Sequence, residues 1–295
     1  MNELKKYGIG STPMKTFRHR GNEFSFKLEQ YNHTGSVKAR TAYFMICRND
    51  DLPAGRVQIC ESTSGNLGLA LHTFCEEKGH DFLCLIDESL PMHKQERLRK
   101  SGVNCEVVRT FEGMDGRQSR IHRAQQLQQQ GYYWTNQYDS VKAIQAHYES
   151  TGPEIWEQTD GRITHLVCAV GTGGTIVGTA KYLKEQNRHI QVIGAEPFGS
   201  TIFGTIQAPY LSVGAGMAGK PGNILRNLEW LDDWAVIKDS DSINACQQLH
   251  EMFGLEVGIT SGMAFHAALE RIPANSGAQV VIICPDGSDC YGEYL

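Results

Sequence analysis

The sequence predicts an α/β fold whose parallel sheets are covered by helices on both faces, and three observations carry that prediction. Short, nearly continuous apolar runs such as FLCLI, HLVCAV and QVVIIC alternate with helix-period patterns along the chain. No repeat, low-complexity tract or Pro/Ser linker interrupts them, so any second domain must be woven into the first. The length of 295 residues suits two domains of about 150 residues each, or one large unit.

The elements follow in order. Residues 24–28 and 57–60 read as strands, 66–78 as a helix, 82–86 as a strand and 93–100 as a helix. A strand at 103–108 precedes a helix over about 116–130. Helical spacing covers 143–158, then a strand 164–170, a helix 175–185 and a strand 191–196. Helices at 241–253 and 263–271 lead to the last strand, 279–284. The run KQERLRK mixes charges and reads as a helix face turned to solvent.

Composition narrows the function. With 28 basic against 33 acidic residues the net charge is −5, which argues against nucleic acid as a partner. No apolar run reaches the length of a membrane span, and MNELKKYGIGSTP lacks the apolar centre of a secretory signal, so a cytoplasmic protein with no membrane partner is expected. The nine cysteines are odd in number, show no C-x-x-C pair and mostly sit in apolar stretches, as reduced thiols acting as small hydrophobes do. The eleven histidines show no metal-ligand spacing, and no metal site is expected.

In parallel sheets ligands bind at the carboxyl ends of strands, where glycine-rich turns enter helices. Three segments have that form: 61–66 (ESTSGN), 171–175 (GTGGT) and 258–262 (GITSG). Gly171, Gly173 and Gly174 let the backbone approach a ligand, Thr172 and Thr175 add hydroxyls, and the helix that follows offers free N–H groups. This is a phosphate cradle. It is no Walker loop, since no Lys-Ser/Thr follows, and Ile176 breaks the dinucleotide pattern. Lys38, in NHTGSVK, falls in the first turn of an expected helix, where the positive helix end and desolvation lower an amine's pKa. Alone it would pass for a surface lysine. Beside a phosphate cradle without a nucleotide motif, it fits a Schiff-base lysine. Arg117, Arg120 and Arg123 recur every three residues, which suits either a solvated face or a clamp for a phosphorylated donor.

KLEQYNHTGSVKAR resembles the lysine segment of fold-type II pyridoxal-phosphate enzymes of the cysteine synthase family. ESTSGNLG resembles their substrate-carboxylate loop and GTGGT their cofactor-phosphate loop, and NQY (136–138), HYESTGPEIWEQ (147–158) and VGITSG (257–262) are similar too. The resemblance runs from residue 11 to residue 286 in family order. It implies two α/β domains with the cofactor in the cleft between them: residues 1–33 and 148–295 the larger, 34–147 a smaller mobile domain carrying the carboxylate loop.

The same resemblance implies roles. Lys38 would hold pyridoxal 5′-phosphate covalently and later move protons, Asn66 would bond its 3′-oxygen, and residues 171–175 its phosphate. Thr63, Ser64 and Gly65 would grip the substrate carboxylate with help from Gln137. Thr260 stands where the family usually has a serine against the pyridine nitrogen. A hydroxyl there leaves that nitrogen largely unprotonated, which favours loss of a β-leaving group over transamination. The implied reaction is β-replacement on O-acetyl- or O-phospho-L-serine through an aminoacrylate, with sulfide to give L-cysteine, in a homodimer. An amine nucleophile giving a 2,3-diaminopropionate precursor, a serine/threonine dehydratase and a non-catalytic binding homologue are the alternatives. The chain departs from the family at Ala39, where Asp is usual, at Leu67, where Thr is common, and in the ending PDGSDCYGEYL.

Overall fold

The computed structural model describes residues 2–63, 65–212 and 214–292. Helix α1 (Asn2–Lys6) leads to strands β1 (Met14–His19) and β2 (Asn22–Leu28). They pair antiparallel, in a protein otherwise built from parallel strands, because Arg20 and Gly21 both adopt positive φ (49° and 70°) and close a two-residue hairpin. Arginine at the first turn position is no turn signal, so this hairpin is invisible in the sequence.

Next come α2 (Lys38–Ile46), β3 (Gln58–Ser62), α3 (Asn66–Lys78), β4 (Asp81–Asp87), α4 (Met92–Lys100), β5 (Cys105–Val108), α5 (Gly116–Gln129) and the short β6 (Tyr133–Trp134). Strands β5-β4-β3-β6 form a parallel four-stranded sheet. Phe44, Leu71 and Phe74 pack one face of it with α2 and α3, while Ala124 and Leu127 of α5 pack the other against Cys60 and Leu85.

Helices α6 (Val141–Ala146) and α7 (Gly152–Gln158) are joined by a π-helical turn at His147–Thr151. A side chain at Gly178 would run into Ile144 O and His147, so glycine there lets the widened turn lie against the next helix. Then follow β7 (His165–Ala169), α8 (Gly174–Gln186), β8 (Gln191–Pro197), α9 (Gly222–Leu225), β9 (Asp233–Ile237), α10 (Asp239–Phe253), α11 (Ile259–Arg271) and β10 (Gln279–Cys284). The larger sheet runs β1-β2-β10-β7-β8-β9. Phe265 and Leu249 cover one face against Phe24 and Phe26, and Ile155, Ile176 and Leu183 cover the other against Leu166 and Ile283.

Two expectations need correction. Residues 258–262 are not a glycine-rich turn, because α11 begins at Ile259 and takes in Thr260 and Gly262. The other concerns two strands missing from the expected order of elements: β6 is only two residues long, and β9 (DWAVI) buries Ala235 and Ile237 while exposing Trp234 and Val236. All nine cysteines are free, and all but Cys47 and Cys105 are buried. Among the described residues, no helix is long and apolar enough to cross a membrane.

Candidate active site

The carboxyl ends of β3, β6, β7 and β10 open onto one cavity of about 300 Å³. Its wall contains Lys38, Thr63, Gly65, Asn66 and Gln137 together with Gly171, Thr172, Gly173, Thr175 and Thr260. Residues far apart in sequence therefore meet. Gly174 is off the wall, packed so closely on Ala143 that its missing side chain is what admits the neighbouring helix. Ser64 lies outside the described residues.

Lys38 is the first residue of α2. Its segment is fixed from the far end of the chain: Val37 N donates to Pro285 O at 2.7 Å, and Ser36 bridges Asp286. Desolvation lowers the Lys38 pKa, opposed by Cys168 and Asp286 nearby. A lowered amine pKa is what a nucleophilic lysine needs.

The 63–66 loop is held by conformation and by a buried acid. Gly65 has φ +144°, which side chains rarely adopt, and Gly65 N donates to Thr63 Oγ1 at 3.3 Å. Glu61, on β3, accepts from Thr135 Oγ1 (2.5 Å), Ser62 N (2.8 Å) and Gln137 N (3.1 Å). Burial still pushes its carboxyl up to about 7. Gln137 Nε2 donates to Ser62 O at 2.7 Å, so its amide is committed to the loop.

The 171–175 loop fits a phosphate. The first intrahelical bond of α8 runs from Val177 N to Gly173 O (3.0 Å), leaving the N–H groups of Gly174, Thr175 and Ile176 without a backbone acceptor among the described residues. Gly173 takes φ +89° and abuts Ile224, where a side chain would collide. Buried Asn223 donates to Thr172 O and to Gln137 O, both at 2.9 Å, and so ties this loop to the segment carrying Gln137. Thr175 Oγ1 lies 3.3 Å from His147 Nε2, and His147 Nδ1 lies 2.8 Å from Thr151 Oγ1. Burial, then Arg40, pushes His147 down to about 3, so the ring is neutral.

The three arginines of α5 divide. A capping box between Asp115 and Gln118 fixes the helix start and sets half-buried Arg117 on the cavity wall, where it makes no ion pair among the described residues. Arg120 also lines the cavity but pairs with Asp87 (2.8 Å), both largely buried. Arg123 pairs with Glu106 away from the cavity.

The tail after β10 and one face of α4 complete the wall, and sequence reasoning missed both. Lys94 and Arg97 line the cavity, against the expectation that KQERLRK faces solvent; Arg97 Nη1 donates to Cys290 Sγ at 2.9 Å. Asp286 accepts from Asn66 Nδ2 at 2.8 Å, and Tyr291 OH lies 3.3 Å from Thr260 Oγ1. The position of Asp286 just past an apolar parallel strand was the signal available.

The chain as a whole matches known proteins. Residues 5–286 match the family model described as pyridoxal-phosphate dependent enzyme. The chain is 34% identical to cysteine synthase B of Salmonella typhimurium, over 99% of this chain and 94% of that protein. It is 31% identical to the O-acetylserine dependent cystathionine beta-synthase of Bacillus subtilis, over 96% and 94% of the two chains. Among solved structures, a hydrogen sulfide-producing enzyme from Fusobacterium nucleatum superposes with a TM-score of 0.88 at 29% identity, covering 99% of each chain. Lys38, Asn66, Gly171, Thr172, Gly173 and Thr175 share one cavity, and the match spans nearly the whole chain: this protein belongs to the family of pyridoxal-phosphate dependent enzymes.

Proposed function

We propose that the chain catalyses β-replacement on an O-activated L-serine, O-acetyl- or O-phospho-L-serine, with sulfide as nucleophile and L-cysteine as product. The observation that carries this reading is full-length similarity, at 34% identity, to a cysteine synthase, with Lys38, Asn66 and the 171–175 loop on one cavity. Similarity to an O-acetylserine dependent enzyme supports the donor class.

Bound pyridoxal phosphate supplies the electron sink that stabilises charge at the substrate's α-carbon. The chain supplies the rest. The N–H groups of Gly174, Thr175 and Ile176, with the hydroxyls of Thr172 and Thr175, would hold the phosphate. Asn66 would donate to the ring 3′-oxygen, and Thr260 would meet the pyridine nitrogen with a hydroxyl. Thr63, Ser64 and Gly65 receive the substrate carboxylate, on a loop that Gln137 and Glu61 brace from behind. Lys38 Nζ would carry the cofactor between turnovers and take the proton from the substrate α-carbon. Arg117 and Arg120 face an anionic leaving group as charge develops on it.

In this reading residues 34–147 form a smaller mobile domain that closes on residues 1–33 and 148–295 to exclude water. The molecule acts as a cytoplasmic homodimer. A nucleophile bearing its own carboxylate is the second reading, favoured by Lys94 on the wall. A panel of both donors against sulfide and amino-acid amines, with products identified by mass spectrometry, decides. L-cysteine from sulfide is expected; release of pyruvate alone would instead mark a dehydratase.

A further inference from the structure

Asp286 is 3% exposed, and its carboxylate sits on the cavity wall. Oδ2 accepts from Asn66 Nδ2 at 2.8 Å and, more weakly, from Tyr291 OH at 3.5 Å. Oδ1 is buried and has no hydrogen-bond partner among the described residues. The backbone here cannot drift: Gly258 N donates to Asp286 O at 3.1 Å, and the neighbouring residues are bonded to Ser36 and Val37 beside Lys38. The carboxylate is thus held against the asparagine by both ends of the site.

An asparagine amide has a donor end and an acceptor end, and its surroundings decide which faces the ligand. A carboxylate accepts only, so an ionised Asp286 holds the Nδ2 end of Asn66 toward itself, while Asn66 Oδ1 faces the Cys290 thiol at 3.8 Å. Nδ2 carries two hydrogens. One is taken by Asp286, and the other stays available at the cavity.

We propose that Asp286 is a positioning residue for Asn66: its carboxylate fixes the amide with an N–H turned to the cofactor, and the donor is lost when Asp286 takes up a proton. The proposal rests on the reading of Asn66 as the contact to the 3′-oxygen. Protonated Asp286 can itself donate, so the amide is free to turn over and present its oxygen to an oxygen of the cofactor. The groups facing Asp286 oppose one another. Lys38 of α2 and Lys94 and Arg97 of α4 favour its ionised form, as do Asn66 and Tyr291. Asp289 opposes it, and the thiols Cys246, Cys284 and Cys290 stay neutral, pushed up by burial. Desolvation outweighs the attractions and raises Asp286 to about 6, within reach of ordinary buffers.

The experiment records the visible spectrum of the cofactor-loaded protein from pH 5 to 8 for the wild type, Asp286→Asn and Asn66→Ala. Cofactor affinity and melting are measured alongside. The wild type should show an inflection near pH 6 that both variants lack, and each variant should bind the cofactor up to about tenfold more weakly. Asn66→Ala keeps Asp286 in place, so loss of the inflection there supports the coupling even where Asp286→Asn fails to fold. An inflection that survives in Asp286→Asn, or is missing from the wild type, overturns the proposal alone. An Asn66→Ala protein with the wild-type spectrum and affinity overturns the assignment of Asn66, and the proposal with it.

Discussion

Two lysines line the cavity, and burial lowers the pKa of both. They differ in how they are held. Lys38 opens a helix whose entry is bonded to the tail after β10, whereas Lys94 lies 5.2 Å over the Tyr291 ring and faces Asp286. Lys94→Ala should therefore keep the cofactor and change donor or nucleophile preference, read as a shift in KM with kcat nearly unchanged. The arginines of α5 separate in the same way. Arg120→Ala leaves Asp87 buried without its partner and should cost about 3–5 kcal/mol in a urea titration, whereas Arg117→Ala should stay within about 0.5 kcal/mol. If Arg117 meets a phosphate leaving group, its loss removes any rate advantage of O-phosphoserine over O-acetylserine in stopped-flow measurements without nucleophile. Equal rates for both donors in the wild type would return Arg117 to a bystander. Spacing alone could not divide these three residues, because it does not show where Asp87 and Glu106 lie.

At the scale of elements, the start of α8 is the clearest sequence-to-structure correspondence. Its loop is contiguous, and three glycines and two threonines before a helical pattern have one obvious use. Replacing both hydroxyls (Thr172→Ala with Thr175→Ala) should weaken cofactor binding by about 0.5–1.5 kcal/mol per neutral bond and up to about 3 for a charged one, measured by reconstitution. What supports the loop was not legible, since His147 and Asn223 arrive from elements far away in sequence. The neutral His147 gives a pH test. Its folded pKa of about 3 lies below the ordinary 6.5, so the unfolded chain takes up a proton first and stability is lost as pH falls from about 6.5 toward 3. Glu61 and Asp286, raised to about 7 and 6, act in the opposite sense and are common to both proteins compared. His147→Gln should therefore lose less melting temperature than the wild type between pH 7 and 5. A steeper loss would show that the buried ring is charged.

Across the whole molecule, a buried ionic cluster ties the lysine helix to the larger sheet. Arg40, two residues beyond Lys38, reaches Glu29 after β2 (2.6 Å) and Glu154 of α7 (2.7 Å), and Lys27 of β2 reaches the same Glu154 (2.7 Å). Burial pushes the Glu29 carboxyl up, but the Arg40 guanidinium overrides it and holds it at about 2. That contribution is present above the ordinary 4.5 and lost as pH falls toward 2. Arg40→Met should cost about 3–5 kcal/mol, because two buried carboxylates lose their shared partner. The alternation that predicts parallel sheets is a local pattern repeated along the chain, so the fold class could be read from it. The joining of the walls could not: α4, the tail after β10 and the Arg40 cluster meet only through contacts between distant segments. The central claim is that Lys38 carries the cofactor in this cavity. Borohydride reduction of the purified protein, followed by peptide mapping, tests it most directly. The cofactor mass should sit on the peptide containing Lys38 and be absent from Lys38→Ala; finding it on Lys94, the other lysine of the same wall, would contradict the account.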